Sequence, residues 1–160
     1  MYQRIKQKNG LNLILAPLKE TKAVTLLVLL PVGSRYETKN INGVSHFVEH
    51  LMFKGTKKRP TSLDLTKELD SVGAEYNAFT AKDQTGYYIK ISADKVELAF
   101  DLLSDMLFNS TFPKAEIDKE RGVIVEEINM YEDNPLMYIE NVFENVVFGN
   151  SPLGWQISGP

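Results

Sequence analysis

His46-Phe47-Val48-Glu49-His50 decides how the chain is read. These are its only two histidines, four residues apart with a glutamate between them. Four residues is just over one helical turn, so on a helix both imidazoles project from one face. A single divalent cation can then take a nitrogen from each. Glu49 follows His46 by three positions and stays near the same side, while pointing about 100° away from His50. A carboxylate placed there reaches a water beside the cation as a base, without joining the cation itself. Histidines one turn apart also occur as ordinary packing residues, so the rest of the chain must supply the argument for a metal.

Composition sets the outer limits. One domain, or a piece of one, is expected from 160 residues, enough to bury roughly 68–70% of the extended surface. Hydrophobic residues at 43% and charged residues at 24% are ordinary globular values. A net charge of −3 gives no basic footprint for nucleic acid. The absence of cysteine removes disulfides and thiolate ligands. The basic opening Met1–Lys8 has no apolar run behind it, and Val24–Val32 is too short to span a bilayer. The expectation is a cytoplasmic protein with no membrane partner.

Patterning predicts hairpin, strand, helix and hairpin, then a run of helices. Asn9-Gly10 between Tyr2–Lys8 and Leu11–Ala16 signals a hairpin. Ala23–Arg35, with the run Leu26–Leu30, reads as a strand buried on both faces. Gly43–Phe53 reads as the motif helix, capped by Asn40 or Asn42. Thr61–Val72 follows as helix, then Glu75–Ala81 and Gly86–Ser92 as a second hairpin with one of Tyr87 and Tyr88 in the core. Helices are expected over Asp94–Leu107, Lys114–Met130 and Pro135–Phe148. The fold class is α+β, an antiparallel or mixed sheet with helices packed on one face. The basic run Phe53-Lys54-Gly55-Thr56-Lys57-Lys58-Arg59 reads as a solvated loop, with complementing a helix C-terminus or meeting an acidic substrate as the alternatives.

Two histidines leave a catalytic metal one protein ligand short. With no further histidine or cysteine, the third must be Asp or Glu. On the helix from Lys114, Ile117, Ile124, Ile128 and Tyr131 form an apolar stripe, widened by Val123 and Met130. Glu116, Glu120 and Glu127 fall inside that arc, and Glu126 falls opposite. A carboxylate among core-facing residues needs a partner, and a cation is one. This reasoning selects Glu127 or Glu120 and rejects Glu126. Two imidazoles and a carboxylate suit Zn²⁺ best, with Mn²⁺ and Co²⁺ compatible by ligand type.

With these residues in hand, the chain resembles the pitrilysin/insulinase clan, closest to its mitochondrial-processing-peptidase-type branch. The likeness rests on His46-Phe47-Val48-Glu49-His50-Leu51-Met52-Phe53-Lys54-Gly55-Thr56 and on Glu120-Arg121-Gly122-Val123-Ile124-Val125-Glu126-Glu127-Ile128. It implies a zinc metalloendopeptidase: His46, His50 and Glu127 as zinc ligands, Glu49 as catalytic base and Glu120 as a supporting residue. It also matches Gly73–Thr80 to an element that holds substrate backbone, making Asn77 and Ala78 candidates for peptide binding by strand addition; Phe79 is expected in the core. Members of the clan are longer, with two similar halves. Residues 1–160 are therefore expected to be the N-terminal portion of the zinc-peptidase domain. A C-terminal half or partner subunit, with its oxyanion-stabilising Arg and Tyr, is expected to be missing. The alternative is a non-catalytic peptide- or subunit-binding member, or an inactive fragment.

Overall fold

The computed structural model describes residues 1–160. β1 (Gln3–Lys6) and β2 (Asn12–Leu15) pair antiparallel, Gln3 opposite Leu15 and Lys6 opposite Asn12. They form a two-stranded sheet of their own around the Asn9-Gly10 turn. A second sheet holds β3 (Ala23–Leu30), β4 (Glu75–Thr80) and β5 (Thr85–Ser92) in the order β3-β5-β4, all antiparallel. The mixed sheet allowed by the sequence does not form. β4 and β3 are therefore the two edges, and β5 is the buried centre.

Helices cover one face of that sheet. α1 (Val44–Leu51), α2 (Ser62–Ser71) and α3 (Val96–Asn109) lie there, and α4 (Lys114–Asp133) and α5 (Pro135–Phe148) follow. The core unites Leu65 and Leu69 of α2, Tyr87, Ile89 and Ile91 of β5, and Ala99, Leu102, Leu103 and Met106 of α3. Each large side chain fully buried there contributes about 1.5–3 kcal/mol. α2 is started by a capping box, Thr61 Oγ1 accepting from the Asp64 N–H and the Asp64 carboxylate from the Thr61 N–H. No helix is long and apolar enough to cross a membrane.

Several expectations are corrected. β3 is not buried on both faces: it alternates, with Leu27 45% and Leu29 51% exposed, because helices pack only on the other side. The strand stops at Leu30, and Ser34–Tyr36 is a 3-10 turn. Of the two adjacent tyrosines, Tyr87 is the core residue. Phe79 is not in the core: it faces away from the helices and lies across Gly86, where a Cβ would meet its ring at 2.4 Å. Val123 and Met130 of α4 are exposed, so the buried stripe of that helix is narrower than its sequence suggests.

The basic run is not a solvated loop either. Arg59 is buried, its Nε and Nη2 donating to Glu68 of α2 at 2.9 and 2.7 Å. The same guanidinium reaches Asp101 at 2.8 Å and the fully buried Asp105 at 3.1 Å, both on α3. Asp105 also accepts from Thr56 Oγ1. The planar fork of Arg matches several carboxylates at once, so this loop pins α2 to α3 directly after the motif helix. Removing the cation leaves Asp105 charged and dry. Arg59→Met is expected to cost about 3–5 kcal/mol, toward the lower end because Glu68 and Asp101 stay half-exposed. Lys58→Met, whose partner Asp101 sits with it near solvent, is expected to cost no more than about 0.5 kcal/mol. Chemical denaturation of the two variants checks both values.

Candidate metal centre

Helix α1 is anchored before it is functional. Its N-cap is Gly43 at φ 93°, not Asn40 or Asn42. A side chain at Gly43 is disfavoured twice, by that left-handed φ and by a Cβ that would fall 2.6 Å from the Ser158 carbonyl. With no side chain of its own to cap, α1 borrows one. Glu37, buried in the preceding loop, accepts from the Gly43 N–H at 2.7 Å and the Ser45 N–H at 2.8 Å. Asn42 Nδ2 donates to the same carboxylate at 3.1 Å and to the Gln156 carbonyl at 3.0 Å. A carboxylate suits the positive end of the helix. Burial pushes the Glu37 pKa up, but these hydrogen bonds outweigh it and hold the group below its ordinary value.

From that anchored start His46 and His50 project side by side toward α4. Their rings meet edge to face with centroids 4.5 Å apart, and their Nε2 atoms are 3.2 Å apart. Glu127 Oε2 lies 3.4 Å from His50 Nε2 and 3.7 Å from His46 Nε2. Two imidazole nitrogens and a carboxylate oxygen thus form a triangle with edges of 3.2–3.7 Å. Zinc bonds of 2.0–2.2 Å at tetrahedral angles require donor separations of about 3.3–3.6 Å. The donor set fits zinc in both spacing and chemistry. Burial and the neighbouring His50 depress the His46 pKa against the opposing pull of Glu127 and Glu37, favouring the neutral ring a metal needs.

The remaining carboxylates are held differently. Glu120, two turns before Glu127 on α4, is buried and accepts from His50 Nδ1 at 2.9 Å. Its other oxygen is 2.7 Å from Lys54 Nζ. Burial raises its pKa, and the bonds from Lys54 and His50 more than reverse that. Glu49 has an oxygen within 4.8 Å of donor atoms of both histidines, but its Oε2 already accepts from Thr80 Oγ1 at 3.1 Å. Burial lifts Glu49 above the usual carboxylate range, partly offset by Thr80 and His50. Glu126 is exposed on the far side of α4 and Glu116 pairs with Lys119, so neither enters the centre. His46 Nδ1 is buried with no hydrogen-bond partner, so no acceptor orients that side of the ring as Glu120 does for His50.

The triangle opens on a cleft of about 810 Å³. Its opposite wall is β4, including Asn77, Ala78 and Thr80. Asn77 is exposed, and its Oδ1 accepts from the Ala78 N–H at 2.9 Å. The structure therefore brings all seven sequence-selected residues to one cleft. The sequence reading passed over Lys54, Thr80 and Glu37. Thr80 had a signal, since it sits two residues past Ala78 on the same strand face. Lys54 looked like part of a basic run, and Glu37 like loop.

A His-x-x-Glu-His helix faced by a glutamate from a second helix defines the inverzincin class of metallopeptidase site. Residues 13–160 match the profile of the insulinase family, peptidase family M16, and the chain belongs to that family. It is 39% identical over 159 residues to an uncharacterized zinc protease of Bacillus subtilis, covering 99% of this chain and 39% of that one. It is 41% identical over 136 residues to the human mitochondrial-processing peptidase subunit beta, covering 85% of this chain and 28% of the subunit. The crystal structure of a protease from Helicobacter pylori superposes with a TM-score of 0.92 at 29% identity, over 100% of this chain and 39% of the other. The chain thus spans about two fifths, or less, of the proteins it matches.

Glu37→Gln is expected to lower stability by about 1–3 kcal/mol at neutral pH through lost charge-assisted bonds. Because the folded-state pKa of Glu37 is depressed, its contribution is complete above the unfolded value of about 4.3. It disappears as pH falls through the folded value. Denaturant unfolding of native and Glu37→Gln protein should therefore differ at pH 7, with the gap starting to close only as pH falls under about 4.3 and closing fully below the depressed folded pKa of Glu37.

Proposed function

We propose that this chain is the zinc-holding catalytic portion of a metalloendopeptidase. His46, His50 and Glu127 hold the ion, Glu49 is the general base, and Glu120 orients His50. The observation that carries this reading is the separation of roles among the carboxylates. Glu127 completes a tetrahedral-sized triangle with the two imidazoles, while Glu49 is drawn aside to Thr80. Bound there, Zn²⁺ would acidify a water toward a pKa of about 7 and polarise the scissile carbonyl.

The protein's own groups do the rest. Glu49, with its pKa raised by burial, accepts the proton of the attacking water and delivers it to the departing amine nitrogen. Thr80 keeps the carboxylate from swinging onto the metal triangle. A peptide in extended form adds as a further strand on the open edge of β4, with Asn77 and Ala78 contacting its backbone. That places the scissile bond between β4 and α1. The cleft wall carries no arginine, and its one lysine is bound to Glu120. A cationic donor for the developing oxyanion would therefore come from a further part of the protein or from a partner subunit. The length of the relatives supports this.

In the full-length protein, Glu49→Gln is expected to retain one equivalent of zinc by elemental analysis. Its peptide hydrolysis should fall by about 10²–10⁴-fold, the range attributed to a general base. Native-rate cleavage by that variant would remove Glu49 from the mechanism. A native protein that binds zinc and an extended peptide without cleaving it would favour a non-catalytic, peptide-binding role.

A further inference from the structure

Lys54 follows α1 by three residues, in the basic run whose other members are accounted for elsewhere. Arg59 is locked into the α2–α3 cluster, Lys58 meets Asp101, and Lys57 is exposed. Lys54 alone turns back toward the cleft. Its Nζ lies 2.7 Å from Glu120 Oε2, with 24% of its side chain exposed against 5% for Glu120. Glu120 Oε1 lies 2.9 Å from His50 Nδ1. The cleft wall contains four glutamates, Glu49, Glu120, Glu127 and Glu140, and Lys54 is its only lysine or arginine.

We propose that Lys54 is a positioning residue of the metal centre: by gripping one oxygen of Glu120 it fixes the other on His50 Nδ1, and so governs zinc affinity. The inference rests on the zinc-peptidase reading above. Its physical basis is a chain of constraints. A buried carboxylate has two oxygens to satisfy. With Lys54 on one, the carboxylate cannot rotate, and the other faces His50 squarely. An acceptor at Nδ1 places the imidazole proton there, which leaves the Nε2 lone pair directed at the triangle. Remove the ammonium, and Glu120 Oε2 is left dry with no partner. The carboxylate then turns toward solvent along the space Lys54 vacated. His50 loses its orienting acceptor, and both nitrogens of the ring become free to exchange roles. His46 cannot compensate, because its own Nδ1 has no partner. The same ammonium also offsets one of the negative charges crowding the cleft.

Loss of such an outer partner typically costs 10–100-fold in metal affinity. The test uses the full-length protein stripped of metal, with zinc itself titrated against a chromophoric chelator. Lys54→Met is expected to bind zinc about 10–100-fold more weakly, measured at a temperature where the metal-free variant is fully folded, since the lost partner of Glu120 Oε2 also lowers its melting temperature. Lys54→Gln serves as the second variant if the first does not fold, and Lys54→Arg should restore most of the affinity. Because the effect runs through Glu120, Lys54→Met combined with Glu120→Gln should be no weaker than Glu120→Gln alone. Zinc affinity of the neutral Lys54 variants within about threefold of native, or a fully additive loss in the double variant, overturns the inference. If native protein binds zinc and Glu49→Gln abolishes hydrolysis while Lys54→Met binds zinc normally, this inference alone falls. A native protein that binds no zinc overturns both.

Discussion

The site depends on one buried and one half-buried carboxylate of α4 having to find partners outside their own helix. Glu120 and Glu127 sit on the stripe of α4 that packs against α1, where an unpaired charge would cost several kcal/mol. The imidazoles of α1 are the partners available, and they reach α4 only when α1 is held at a fixed rotation. The loops around α1 provide that hold. Glu37 ties down its first turn, and the segment after it, through Thr56 and Arg59, is fastened to α2 and α3. The histidine face of α1 is therefore placed by hydrogen bonds and ion pairs that lie outside the triangle.

The sheet contributes a different constraint. Antiparallel pairing in the order β3-β5-β4 buries β5 and leaves β4 as an edge beside α1. An open edge is normally a liability for aggregation. Here it forms the wall of a cleft whose floor is the histidine-glutamate triangle, and Thr80 on that edge holds Glu49. One strand thus serves both as a surface able to pair with an extended peptide and as the support of the carboxylate read as the base.

Legibility of the sequence varied with the range of the interactions. Helix and strand identities were readable, because periodicity and caps such as Thr61 and Asp64 act over a few residues. The selection of Glu120 and Glu127 over Glu126 was readable for the same reason, since helical phase alone separates them. Burial was less readable. The run Leu26–Leu30 suggested a strand covered on both sides, yet apolar composition does not say whether a second layer exists. Phe79, Val123 and Met130 were assigned inward and turn out exposed. The basic run after α1 misled most, because a lysine or arginine is usually a solvated residue and its carboxylate partners lie up to 66 positions away along the chain.

By itself, then, the sequence determined the α+β class, the helix that carries His46, Glu49 and His50, and the family of the chain. Those depend on residue types at fixed local spacing. Only the tertiary structure decided which oxygen stands near which nitrogen. It put Glu127 at the triangle, drew Glu49 to Thr80, and turned Lys54 and Arg59 inward onto buried acids. Each of these is a contact between elements distant in the chain, and its geometry exists only once the helices and the sheet have packed against one another.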